Sequence, residues 1–85
     1  MRVTLLYFAS LREALGVERE TVELPPDVDT TSRIRALLRT RGDAWARALA
    51  EGRNVRAAVD QRMAFAETKV ADGAEVAFFP PVTGG

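Results

Sequence analysis

The apolar positions fall into short alternating runs and one helical stripe. Residues 2–9, Arg-Val-Thr-Leu-Leu-Tyr-Phe-Ala, are rich in β-branched and aromatic side chains and predict a strand. Alternation sends Val3, Leu5 and Tyr7 to one face and Thr4, Leu6 and Phe8 to the other. Next comes Ser10-Leu-Arg-Glu-Ala-Leu-Gly16. Ser10 is placed to cap, Glu13 sits three residues on, and Gly16 supplies a left-handed stop, so a helix of about two turns is expected. Residues 18–24 predict a second strand, whose polar character and terminal Pro25-Pro26 mark a sheet edge. Asp29, Thr30 or Thr31 caps the main helix. There Ile34, Leu37 and Leu38 make one apolar stripe at i, i+3, i+4, and Gly42 ends it. Residues 43–49 restart a short helix with Trp45 and Leu49 one turn apart. Residues 54–59 read as a third strand, Asp60-Gln61 as a turn, Met63-Ala64-Phe65 as a short strand, Asp72-Gly73 as a strong turn, and 74–79 as the last strand.

Strand, short helix, strand, longer helix, strand, short strand, strand is the order of an α+β β-grasp, or ubiquitin-like, fold. It implies a mixed four- to five-stranded sheet with one main helix across one face and short extra helices. The first hairpin should be antiparallel. The last strand should lie centrally, beside the first and parallel to it, because these two are the most apolar and a sheet centre is buried. The expected organisation is one domain over residues 1–79 and an extended tail over residues 80–85.

One helix layer covers one sheet face, so the other should be polar. Here both faces carry large apolar groups. In the last strand Val76 and Phe78 share one side, while Ala77 and Phe79 share the other. Leu6, Phe8 and Phe79, with Met63, would make an uncovered patch of the kind that marks a docking surface. The competing reading puts Phe8 and Phe79 in the core beneath the short helices. Their place beside the root of the tail favours docking.

Composition narrows the chemistry. Eighty-five residues make one domain, and 12 basic residues balance 12 acidic ones, which argues against a nucleic-acid partner. No apolar run approaches the roughly 20 residues that span a bilayer, and the N-terminal segment reads as a strand without a signal-peptide cleavage site. A cytosolic, membrane-free location is therefore expected. With neither cysteine nor histidine, thiol nucleophiles, zinc fingers and Ser-His-Asp triads are excluded, and no metal site is expected.

The remaining candidate for a reactive group is the α-carboxylate of Gly85. The chain runs from its last strand into Pro80-Pro81-Val82-Thr83-Gly84-Gly85. The prolines stop the ladder and stiffen the exit, and glycine, lacking Cβ, makes the thinnest peptide a partner's tunnel could admit. Extended, this segment spans roughly 20 Å. A carboxylate is inert until activated. Adenylation with ATP makes a mixed anhydride that a sulfur nucleophile can open to a thioester or a thiocarboxylate, and a thiocarboxylate can deliver sulfur onward.

The run from Asp72-Gly73 through Phe78-Phe79-Pro80-Pro81 to Gly84-Gly85 resembles the C-terminal signature of the molybdopterin synthase small subunits, the MoaD/ThiS-type ubiquitin-like sulfur carriers. The resemblance extends to residues 7–16, to the Trp45 segment and to residues 57–61. One departure is Asp60, where that family often has asparagine. The resemblance implies adenylation of Gly85 by a ubiquitin-activating-type adenylyltransferase that uses ATP, followed by thiocarboxylation by a sulfur donor system. It implies docking on a large subunit in a heterotetramer of two small and two large subunits, with sulfur delivered to cyclic pyranopterin monophosphate. It casts the chain as a non-catalytic, sulfur-donating subunit with no permanently bound cofactor. By position, Gly85 is the attachment point, Gly84 the tunnel residue with Thr83, Val82, Pro81 and Pro80 behind it, and Phe8, Met63, Phe79 and Leu6 the docking face. Arg12 adds a polar contact. Two alternatives stand beside it: a thiazole-synthesis sulfur carrier, and a ubiquitin-like protein modifier, for which the single lysine, Lys69, argues against branched chains.

Overall fold

The computed structural model describes residues 1–81. In chain order the elements are β1 (Arg2–Tyr7), α1 (Ala9–Leu15), β2 (Arg19–Glu23), α2 (Thr31–Leu38), a 3-10 turn (Arg39–Arg41), α3 (Asp43–Ala48), β3 (Arg56–Val59), β4 (Arg62–Ala64) and β5 (Glu75–Phe79). The strands form one sheet in the order β2-β1-β5-β3-β4. Only the β1–β5 pairing is parallel, with Leu5 opposite Val76 and Tyr7 opposite Phe78. This is the β-grasp arrangement expected from the element order. On one face Val3, Leu5, Tyr7, Val76 and Phe78 meet Leu11, Ile34, Leu38 and Leu49 in a single core.

Several local expectations are corrected. β1 stops at Tyr7, two residues early, because Phe8 becomes the N-cap of α1 and Ala9 takes φ 53°. Ser10 therefore lies inside the first turn and caps nothing. The amides of Leu11 and Arg12 donate to the Phe8 carbonyl at 3.1 and 3.4 Å, and no side chain completes a capping box. Gly16 does form the left-handed stop, at φ 72°. β2 is shorter than 18–24 and lies at the sheet edge. Of the three cap candidates for α2, Thr30 serves, its hydroxyl accepting from the Arg33 amide at 3.2 Å. α2 ends at Leu38, earlier than Gly42, and tightens through the 3-10 turn. Leu37 leaves the core stripe because it sits about 100° of helix rotation from Leu38, and Ile34 with Leu38 already spans the sheet contact. Residues 54 and 55 precede β3 rather than joining it.

Two turns fix the register of the central strands. Asp60 and Gln61 both adopt positive φ, 49° and 69°, as a tight two-residue hairpin requires. The Asp60 carboxylate accepts from the Glu75 amide at 3.0 Å, and its own amide donates to the Glu75 carbonyl at 2.8 Å. Aspartate thus ties the β3–β4 turn to the start of β5. At the other turn the Arg2 amide donates to the Asp72 carboxylate at 2.7 Å, and the Gly73 amide donates back to the Arg2 carbonyl at 2.7 Å. β5 is pinned to β1 at its first residue.

Polar side chains stitch the helices to the sheet. Arg35 on α2 donates to the carbonyls of Leu49, Ala50 and Arg53, satisfying the open end of α3. Burial, and secondarily the neighbouring Arg39 charge, depress the Arg35 pKa. Tyr7 is fully buried. It stacks on Phe78, meets Trp45 edge-on at 5.5 Å between centroids, and donates to Glu20 at 2.8 Å. Arg41 closes the group by pairing with Glu20 at 2.6 Å while its guanidinium lies 4.6 Å from the centre of the Trp45 ring.

Burial, then the hydrogen bond to Glu20, push the Tyr7 phenol well above the ordinary tyrosine range. A raised pKa means that the folded state holds the neutral form. Its stabilising contribution is complete below about pH 10, the unfolded value, and is lost as pH climbs beyond it. Tyr7 is the only tyrosine, so phenolate absorbance reports it alone. An alkaline titration should show no phenolate near pH 10 and a rise only together with loss of the far-UV circular dichroism signal. Ionisation in the intact fold near pH 10 would contradict the buried hydrogen bond.

Candidate functional site

The second face of the sheet is assembled by register. Reading across the strands, Arg19, Leu6, Ala77, Ala58 and Met63 fall in one row. In the next row Phe8 lies beside Phe79, because its amide donates to the Phe78 carbonyl at 3.2 Å, and Phe79 faces Arg56. The buried side chains of the helices all join the opposite face, so this row has no helical cover among the described residues. Phe8 is 46% and Met63 59% exposed, whereas Leu6, Ala77, Ala58 and Phe79 are half-buried against one another. The structure thus brings Leu6, Phe8 and Phe79 together at the top of β1 and β5, with Met63 on the same face across β3.

Phe8 reaches this position through a strained backbone. Ala9 at φ 53° is a left-handed non-glycine residue, which costs about 1 kcal/mol or more. The flanking bonds, Phe8 amide to Phe78 and Leu11 amide to Phe8, hold it there. The sharp turn lets α1 fold back over the core while Phe8 stays outside.

β5 leads directly into Pro80 and Pro81, both half-buried and outside the strand. Proline offers no amide to the ladder, so the pairing ends at the residue that joins patch to tail. Val82, Thr83, Gly84 and Gly85 lie outside the described residues. Arg12 stands on α1, one turn from Phe8, in a loose pair with Glu18 at 3.6 Å. Both side chains are exposed, so the pair contributes little. Lys69 is held by Asp29 at 3.0 Å, and this bond, with Arg33 adding to it, lowers the Asp29 pKa. Among the described residues no three histidine, cysteine, aspartate or glutamate side chains group closely enough to hold a metal ion.

One exposed residue was missed by the sequence reading of the face. Phe65, one position beyond β4, is 82% exposed. It shares the parity of Met63, which is the signal that could have flagged it.

The geometry describes an apolar surface with Pro80 and Pro81 at its upper edge. The ThiS family matches residues 5–85. The molybdopterin synthase sulfur carrier subunit of Haemophilus influenzae is 41% identical over 83 residues, covering 98% of this chain and 99% of that protein. The subunit of the same name from Escherichia coli is 40% identical over the same shares. Among solved structures, the Haloferax volcanii HVO 2177 protein superposes with a TM-score of 0.81 at 28% identity, covering all of this chain and 87% of that one.

Core and patch should respond differently to truncation. Phe78→Ala should lower stability by about 3–5 kcal/mol. Phe8→Ser and Met63→Ser should each change it by less than about 1 kcal/mol, because their rings and thioether already meet solvent. Urea unfolding followed by tryptophan fluorescence checks both. A large loss at Phe8 or Met63 would place these residues in the core.

Proposed function

The chain belongs to the ThiS family, and from that membership we propose that it is the sulfur carrier subunit of a molybdopterin synthase. The observation that carries the reading is the continuity of β5 and Pro80-Pro81 with an apolar face that has no helical cover among the described residues. Two relatives at 40 and 41% identity bear that subunit name. The names favour this carrier over the thiazole-synthesis type and over a protein modifier.

In this reading the Gly85 carboxylate attacks the α-phosphate of ATP in the active site of an adenylyltransferase and pyrophosphate leaves. Hydrosulfide supplied by the sulfur donor system then attacks the acyl carbon; a C–S bond forms, the C–O bond to phosphate breaks, and AMP departs. The resulting thiocarboxylate is anionic at neutral pH. Leu6, Phe8, Met63 and Phe79 dock on a large subunit, burying apolar area worth roughly 25 cal/mol per Å². That contact aims the tail into the large subunit's active site, where the sulfur attacks a carbon of cyclic pyranopterin monophosphate; a C–S bond forms and that carbon's bond to an oxygen leaving group breaks. Water then releases the acyl group as the original carboxylate. Two such deliveries complete the dithiolene. The chain supplies position and the sulfur, and the large subunit supplies the catalytic side chains. A heterotetramer of two small and two large subunits in the cytoplasm follows from the same reading.

Deleting Gly85 should abolish molybdopterin synthesis in a reconstituted system and leave folding unchanged. In parallel, the intact mass after co-expression with the activating machinery should rise by the exchange of one oxygen for one sulfur, localised to Gly85. Synthesis that survives the deletion would sink the carrier reading. Phe79→Asp should weaken large-subunit binding by about tenfold or more while the isolated domain stays folded, since an unpaired charge would be buried at the contact. Unchanged affinity by titration calorimetry would remove the apolar face from the interface.

A further inference from the structure

The uncovered face is polarised along its strands. Toward the start of β5 it carries Thr4, Glu75 and the Arg2–Glu23 ion pair. Toward the tail root it carries the apolar row. Besides Arg12, which pairs loosely with Glu18, the cations flanking that apolar end are Arg19, opposite Leu6, and Arg56, opposite Phe79. Both are exposed, and among the described residues neither makes an ion pair. By contrast Arg2, Arg33, Arg41 and Lys69 each lie within 3.1 Å of a carboxylate. The formal net charge of the chain is zero, so the positive end of this face is a local arrangement and not a by-product of an overall basic protein.

Phe65 follows β4 directly, in the parity of Met63 and one residue beyond the Ala57–Ala64 pair, and it also lines the groove between α2 and β3. Its ring is 82% exposed, yet its backbone is fixed. The amide donates to the Thr68 hydroxyl at 2.9 Å, and the carbonyl accepts from the Thr68 amide at 3.0 Å and from the Thr31 hydroxyl. An aromatic ring on a pinned turn loses little conformational freedom on binding. β4 itself has a strand neighbour on one side only. From β2 to β4 the face spans four inter-strand steps, or roughly 19 Å. One standard interface of about 800 Å² per partner can therefore cover both margins at once.

We propose that Phe65 and Arg56 on the β4 margin, with Arg19 on the β2 margin, select a partner surface that offers an apolar socket for Phe65 with carboxylates facing the two arginines. The inference rests on the docking face described above and specifies the chemistry of what docks there. The arginines accelerate encounter and set orientation, and Phe65 slows departure. A surface lacking carboxylates at these margins would leave both guanidiniums desolvated and unpaired.

The test is association of the full chain with the cognate large subunit, followed by surface plasmon resonance at about 50 and about 500 mM NaCl. The wild-type on-rate should fall about tenfold or more between the two salts. Arg19→Glu/Arg56→Glu should reduce the low-salt on-rate about tenfold and remove most of the salt dependence, with the off-rate changed less than threefold or so. Phe65→Ala should raise the off-rate about tenfold and leave the on-rate alone. All three positions are exposed, and circular dichroism confirms that the variants fold. An on-rate indifferent to salt, or binding unaltered in these variants while Phe79→Asp still weakens it, would overturn this inference and leave the docking face standing. Absence of any association by the wild-type chain would overturn both.

Discussion

The parallel pairing of β5 with β1 is the constraint on which the other features depend. It places Tyr7 beside Phe78 and Leu5 beside Val76, and so sets four fully buried side chains side by side in the core. Because strand side chains alternate, the same pairing places Leu6 beside Ala77 and Phe8 beside Phe79 on the opposite face. It also sets the direction in which the chain leaves the sheet. A one-residue slip would exchange the two faces, burying Leu6, Phe8 and Phe79 and exposing the core. The reciprocal bonds between Arg2 and the Asp72-Gly73 turn, and between Asp60 and Glu75, hold that register at the first residue of β5.

A domain of 85 residues cannot cover both faces of a five-stranded sheet with three short helices. The helices serve the inner face, and their ends are fastened by side chains. Arg35 satisfies the carbonyls after α3, and Arg41 links the 3-10 turn to Glu20 and Trp45. These arginines are committed to structure. Arg19 and Arg56 make no ion pair among the described residues, and both stand on the face that the helices leave open. Two arginines without an ion pair among the described residues thus give the uncovered side a chemical character as well as an apolar one.

The strain at Ala9 belongs to the same economy of space. Ending β1 at Tyr7 and turning sharply lets α1 reach the core within two residues, so Leu11 is buried while Phe8 stays outside. The left-handed conformation costs about 1 kcal/mol or more, and the burial of Leu11 and the bonds across the turn offset it.

Much was legible in the chain alone. Period-two alternation assigned Val3, Leu5 and Tyr7 against Leu6 and Phe8, and Val76 and Phe78 against Ala77 and Phe79, because a strand has only two faces. The Gly16, Asp60-Gln61 and Asp72-Gly73 punctuation placed the turns, because few residues tolerate those backbone angles. The resemblance of residues 72–85 to the sulfur carriers pointed to the family, and the ThiS match over residues 5–85 agrees with it. What stayed hidden depended on neighbours distant in sequence. Ser10 looked like a cap, but packing against Phe78 moved the helix start to Phe8. Leu37 fitted the apolar stripe, but two residues already filled the contact. Phe65 was read as part of a short strand, and only the turn bonded to Thr31 and Thr68 left its ring in solvent. Which arginines form ion pairs among the described residues was likewise decided by tertiary structure, because an ion pair is a matter of three-dimensional proximity that sequence spacing does not encode.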